Sequence, residues 1–217
     1  MGEPLGDLLD LHIVVDTTYD QNCYVLHRRD SDAALVVDPG LQHPHTLRLL
    51  EDNSWRVERI LLTHGHGDHV NGVPAMVAAH HCPVALHPDD REQLVSTRFL
   101  PGIPADLPDV EIDEDLAGGQ VIEWLGIDIG VLHTPGHTRG SVCFVAGRDL
   151  LSGDTLFRRG VGRADLPGGD WPQLLVSIEE RLYTLPAATA VYPGHGSRTT
   201  IGEEMGSNPF VVHPSYR

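Results

Sequence analysis

The sequence predicts an α+β fold of two related halves, packed sheet to sheet with helices outside. Three observations predict it. In each half, short strand-like apolar runs precede a helix-like segment. The runs close in turn signals, Asp38-Pro39-Gly40 in the first half and Pro193-Gly194 in the second. The chain has 217 residues, 41% hydrophobic and 21% charged, which suits a single domain (residues 1–217) with a substantial core.

The elements follow in order. Leu11–Thr17, Cys23–Arg28 and Ala33–Asp38 are short runs rich in Val, Ile and Leu, and read as strands. Thr46–Asn53 has helical spacing, with Leu47 and Leu50 on one side. Val57–Thr63 reads as a strand that runs straight into a His-rich loop. Asn71–His81 reads as a helix and Cys82–His87 as a strand. In the second half Gln120–Leu125, Ile127–His133, Ser141–Ala146 and Asp149–Ser152 read as strands. Trp171–Leu185 is a helix with Leu174, Leu175, Ile178 and Leu182 inside, and Ala188–Tyr192 is the last strand.

Between the halves, residues 88–119 carry four prolines, an acidic run at Asp109–Asp115 and Gly118-Gly119. Asp89–Phe99 is amphipathic and reads as a helical piece; the rest is a surface excursion. Phe99, Leu100 and Ile103 lie in it, and the stretch Phe99–Pro108 is expected to border the mouth of a site.

The formal net charge is -16, with 15 basic and 31 acidic residues. That field repels nucleic acid and anionic membrane surfaces, so neither is expected as a partner. Cys23, Cys82 and Cys143 form no CxxC pair and sit in or beside apolar runs, as reduced buried thiols do. The opening MGEPLGDLLDLHIVVD is acidic, without a basic stretch ahead of an apolar one, and no apolar run is long enough to span a bilayer. A cytoplasmic protein is expected.

Histidine is the unusual residue: there are 14, and they cluster. Thr63-His64-Gly65-His66-Gly67-Asp68-His69 puts three imidazoles and a carboxylate on a glycine-rich loop after a strand. Imidazole nitrogen and carboxylate oxygen are donors that zinc, iron and manganese accept. Pro135-Gly136-His137-Thr138, Ser152-Gly153-Asp154-Thr155 and Tyr192-Pro193-Gly194-His195-Gly196 are each weak alone. Each, however, follows a predicted strand, and strand ends at one sheet edge are where site-forming loops meet.

Together these four motifs resemble the metallo-β-lactamase superfamily, over residues 63–196. The resemblance implies a four-layer αβ/βα sandwich with a dinuclear site at the sheet edges. Asp154 at the bridging position and the Asp68-His69 pair are similar to glyoxalase II. The β-lactam-hydrolysing branch typically has a Cys among its ligands, and none of the three cysteines is placed for it. GDTLFRRGVGRADLPGG (153–169) and GHGSRTTIGEEMGSNPF (194–210) resemble short bacterial glyoxalase II-like proteins.

The resemblance implies the following roles. His64, His66 and His137 bind one metal ion, Asp68, His69 and His195 bind a second, and Asp154 bridges them. Zinc is the default metal, with iron and manganese suited to the same donors. A hydroxide held at the metals, with Asp68 beside it, would attack a small-molecule thioester such as S-lactoylglutathione, giving a hydroxy acid and a thiol. Arg163 aligns with a basic residue that reads the thiol carrier; its alternative is pairing with Asp165. Full-length glyoxalase II has a helical domain after its last ligand, whereas residues 196–217 follow His195 here, so most of that thiol-binding surface is expected to be missing.

Rival readings share the fold. A mononuclear iron persulfide dioxygenase would keep His64, His137 and Asp154. A nucleic-acid hydrolase is opposed by the net charge, and a non-catalytic module would be expected to have lost ligands. His133 lies off the ligand pattern. Asp38 reads either as a turn former or as an acceptor that orients a ligand loop.

Overall fold

A computed structural model of the chain describes residues 3–5, 9–96 and 109–211, which fall in two compact units, Met1–Asp115 and Leu116–Arg217. In the first, seven strands pair in chain order: β1 (Glu3–Leu5), β2 (Leu9–Val15), β3 (Asn22–Arg28), β4 (Ala33–Val37), β5 (Arg56–Leu61), β6 (Val84–Leu86) and β7 (Glu114–Asp115). The pairs up to β4 are antiparallel and those from β4 onward are parallel. Parallel neighbours need crossovers. α1 (His43–Asp52) supplies one, and α2 (Gly67–Val70) with α3 (Val73–His80) supplies the next. α1 buries Thr46 and Leu50, and α3 buries Val73 and Met76, in a core with Val25, Val36, Ile60, Leu62, Val84 and Leu86. Every residue of β4, sequence AALVV, is buried, which explains its unbroken apolar run. Because β4 and β5 run parallel with Val37 beside Leu61, the loops leaving their C-terminal ends start side by side.

The second unit holds a six-stranded sheet ordered β15-β14-β11-β10-β9-β8. β8 (Val121–Trp124), β9 (Ile127–His133), β10 (Val142–Ala146) and β11 (Asp149–Gly153) form an antiparallel meander. β14 (Ala190–Pro193) joins β11 in parallel, and β15 (Thr199–Thr200) closes the edge. β12 (Leu156–Phe157) and β13 (Gly160–Val161) make a separate hairpin. The crossover to β14 is α5 (Trp171–Ser177), capped by Asp170, whose carboxylate accepts from the Gln173 amide at 3.0 Å. It continues as a π-helical turn, Ile178–Leu182, and α6 (Ile201–Ser207) follows β15. Leu174, Ile178, Leu182, Val191 and Ile201 form this unit's core.

The start of the predicted excursion is ordered. Pro88–Asp90 is a 3₁₀ turn, Gln93–Ser96 is α4, and Glu114–Asp115 is a strand. The apolar stretch Phe99–Pro108 lies outside the described residues. All three cysteines are buried thiols, and burial pushes Cys23 up to about 12 and Cys143 up to about 11, so neither is a ready nucleophile. Among the described residues no helix is long and apolar enough to cross a membrane.

Candidate metal centre

In the first unit the His-rich loop leaves β5 and becomes the N-terminal turn of α2. Its side chains are gathered rather than solvated. His64 and His69 are fully buried, and His66 and Asp68 are nearly so. The His64 ring stands edge-on to His66 with centroids 4.7 Å apart, and its centroid is 4.2 Å from that of His69.

Asp38, at the end of β4, organises them. Its Oδ1 accepts from the Thr63 amide at 2.8 Å and its Oδ2 from the Thr63 hydroxyl at 2.6 Å. The same Oδ2 accepts from His69 Nδ1 at 3.0 Å. The Thr63 oxygen, its proton given to Asp38, accepts from His64 Nδ1 at 3.0 Å. Both Nδ1 positions are thus donors, which leaves Nε2 of each neutral ring as the ligand atom. Asp38 also has φ of 51°, a left-handed conformation that Asp tolerates, so both sequence readings of it hold together.

In the second unit the parallel pairing of β11 and β14 sets Asp154 beside His195, and the Gly194 amide donates to the Gly153 carbonyl at 2.8 Å. Asp154 Oδ2 lies 3.4 Å from His195 Nε2 and 3.5 Å from His137 Nε2. His137 Nδ1 donates to the Arg163 carbonyl at 2.7 Å. The His137 loop is seated on α5: Ser177 Oγ donates to the Pro135 carbonyl at 2.7 Å, and a Cβ on Gly136 would overlap the Leu174 backbone. Gly162 is similarly tight, since a Cβ there would overlap the Asp154 carbonyl and come 3.0 Å from His137 Nδ1.

This donor set fits a metal. In each unit an imidazole whose Nδ1 proton is already committed turns Nε2 toward a carboxylate oxygen: His137 toward Asp154 at 3.5 Å, and His69 toward Asp68 at 3.7 Å. Two electron-rich atoms facing each other in a buried site repel unless a metal ion or a proton lies between them. Donors on one ion at about 2.0–2.2 Å each stand about 3.0–3.4 Å apart at octahedral to tetrahedral angles, close to these separations.

The other singled-out residues fall as follows. Arg163 grips Asp165 through Nε and Nη2, at 2.7 and 2.9 Å, and these two side chains are 60% and 70% exposed. Its backbone, not its guanidinium, holds His137. His133 Nε2 donates to the Arg139 carbonyl at 2.9 Å. Sequence reasoning missed Thr63 as a relay, Gln21, whose amide donates to the Asp38 carbonyl at 3.1 Å, and Asp90, which accepts from the Gly65 amide at 2.8 Å. It also missed Glu204, a buried carboxylate that accepts from Thr199 Oγ1, the Arg159 amide and Asn208 Nδ2.

Comparison with known proteins accords with this geometry. The profile of the metallo-beta-lactamase superfamily matches residues 16–195. Hydroxyacylglutathione hydrolase GloC of Haemophilus influenzae is 34% identical, over 94% of this chain and 98% of that one. Among solved structures, BLEG-1 B3 metallo-beta-lactamase is 35% identical with a TM-score of 0.86, over 93% of this chain and 99% of that one. TTHA1623, solved in a di-iron-bound form, is 37% identical with a TM-score of 0.79, over 92% of this chain and 100% of that one. The chain belongs to the metallo-β-lactamase superfamily and has its α+β fold.

Proposed function

We propose that the chain is a metal-dependent thioester hydrolase of glyoxalase II type, converting an S-(2-hydroxyacyl)-thiol to a hydroxy acid and a thiol. The observation that carries the metal dependence is the facing of Nε2 and carboxylate oxygen in both units, at 3.4–3.7 Å. The likeness to a hydroxyacylglutathione hydrolase along nearly the whole chain supports the thioester. His64, His66 and His137 would hold one ion, Asp68, His69 and His195 another, with Asp154 shared. Zinc is the default, and a relative solved with two irons supports iron as the substitute.

When bound, two divalent ions supply Lewis acidity at the substrate carbonyl and make water acidic enough to attack near neutral pH. The chain's own groups set the stage. Asp38, Thr63 and the Arg163 carbonyl fix the Nδ1 protons, so that His69, His64 and His137 present Nε2. Asp68 accepts a hydrogen bond from the attacking water. Water's oxygen joins the acyl carbon, the carbon–sulfur bond breaks, and the proton ends on the thiol. A thiolate leaves readily, so no strong general acid is required. Arg163 reads a carboxylate of the thiol carrier after exchanging it for Asp165. The net charge of -16 favours a small-molecule substrate over nucleic acid or an anionic membrane, and the buried thiols suit the cytoplasm.

Elemental analysis of chelator-free protein, beside assays on S-lactoylglutathione, glutathione persulfide and a β-lactam, tests this. Two metal equivalents with thioester hydrolysis support it. A single iron with oxygen uptake on the persulfide, or β-lactam opening without thioester hydrolysis, overturns it.

A further inference from the structure

We infer that Asp90 is a positioning residue that seats the His64–Gly65–His66 elbow and sets the affinity of the ion those histidines hold. This rests on the ligand set proposed above. Asp90 ends the 3₁₀ turn Pro88–Asp90, and its side chain is completely buried. Its Oδ2 accepts from the Gly65 amide at 2.8 Å. Gly65 is the residue between two ligands of one ion, so a bond to its amide fixes the peptide from which both imidazoles project.

The seat closes around that amide. A Cβ on Gly65 would come 2.7 Å from the Asp90 carbonyl and 2.8 Å from Cβ of Gln93, itself buried in α4. No methyl fits, so the elbow rests directly on the turn. The turn is in turn held: His87 Nδ1 accepts from the Asp89 amide at 3.3 Å, and the Asp90 amide donates to the His87 carbonyl at 3.0 Å. A carboxylate buried in this way is costly, and a charge-assisted bond to an amide recovers more than a neutral one does. Burying Asp90 against a glycine between two histidines is accounted for if the elbow's geometry is what it secures. Asp68 and His69 sit beyond this contact, on α2, so the effect should fall on the first ion alone.

Stepwise zinc titration of the metal-stripped full chain against a chromophoric chelator tests the inference without using activity. The wild type should show two binding steps. Asp90→Ala should weaken one step about 10–100-fold, the usual loss when a supporting hydrogen bond of a metal site is removed, and leave the other in place. His64→Ala should weaken the same step, and Asp90→Asn, which keeps an acceptor, should recover most of it. If Asp90→Ala does not fold, Gly65→Ala pushes the elbow off the same seat and should weaken the same step. Unchanged binding in a folded Asp90→Ala, equal weakening of both steps, or an Asp90→Asn as weak as Asp90→Ala overturns the positioning role. A wild type that binds no zinc, iron or manganese overturns the metal reading instead.

Discussion

Asp38 and His69 meet across 31 positions of sequence, with Asp38 Oδ2 3.0 Å from His69 Nδ1 and both side chains buried. The same oxygen takes the Thr63 hydroxyl, which passes the link to His64. One carboxylate therefore orients a ligand assigned to each ion.

Removing it should affect both ions. Asp38→Ala is expected to weaken each by roughly 10–100-fold, whereas Thr63→Val, which cuts only the branch to His64, should weaken one. Metal content after dialysis at graded chelator concentration separates the two patterns, and equal behaviour of the variants would contradict the relay.

In the proposed ligand set Asp154 serves two ions and His133 none. Asp154→Ala should abolish hydrolysis and lower the content of both metals. His133→Ala, which loses a bond to the Arg139 carbonyl, should keep metal content and most activity. A His133→Ala protein with an empty site beside a fully loaded His137→Ala would reverse the ligand assignment.

The Arg163–Asp165 fork makes the carrier-binding reading testable in both directions. On an anionic thioester, Arg163→Ala should raise KM and leave kcat nearly unchanged, as expected for contact remote from the scissile bond. Asp165→Ala, by releasing the guanidinium, should lower KM. A neutral thioester should respond to neither variant, and equal changes on both substrates would leave Arg163 only its pairing role.

Stability should fall in acid for a reason outside the metal centre. Burial holds His12 and His80 below the ordinary imidazole value of 6.5. His80 Nδ1 also accepts from the Val57 amide at 3.5 Å, which a protonated ring cannot do. Below the ordinary value the unfolded chain takes up protons that the folded chain refuses. Stability is therefore lost as pH falls through it, levelling once the folded rings also protonate. Urea midpoints of metal-stripped protein at about pH 7.5 and about pH 5.5 should differ less in His80→Gln than in the wild type; an unchanged difference would show that His80 does not contribute.

Glu204 on α6 accepts from three donors, Thr199 Oγ1, Asn208 Nδ2 and the Arg159 amide, and the last ties α6 to the β12–β13 hairpin. Glu204→Ala strands buried donors and should cost about 2–4 kcal/mol. Chemical denaturation measures it directly, and a loss within error would mean that water replaces the carboxylate.

β2, β9, α1 and α5 were readable because their apolar residues repeat with the period of the element, and β3 and β4 because they are short unbroken apolar runs. α6 was not. Its sequence IGEEMGS carries two glycines and little apolar pattern, and its order comes from a Thr200 cap and from Glu204, whose Arg159 partner is 45 residues away in sequence. Two-residue strands such as β7 and β13 have no periodicity to read. The seven residues proposed as ligands stood out in the sequence because histidine and aspartate in glycine turns have few other reasons to cluster. Asp90 was not, because an acid in a Pro-Asp-Asp turn looks the same whether it faces solvent or a buried amide. The π-helical continuation of α5 keeps Ile178 and Leu182 inside, so the pattern showed the face but not the change of pitch.

Gly162 bears on how such a protein diversifies. The loop that carries Arg163 is stapled at a position with no side chain, against the Asp154 carbonyl and the His137 ring. Beyond it Arg163, Asp165 and Pro167 face outward. On the proposed reading, variation at those exposed positions would redraw what enters the site while the groups beneath keep their places. A lineage can then change its diet through a handful of surface codons, with position 162 as the one it cannot spend.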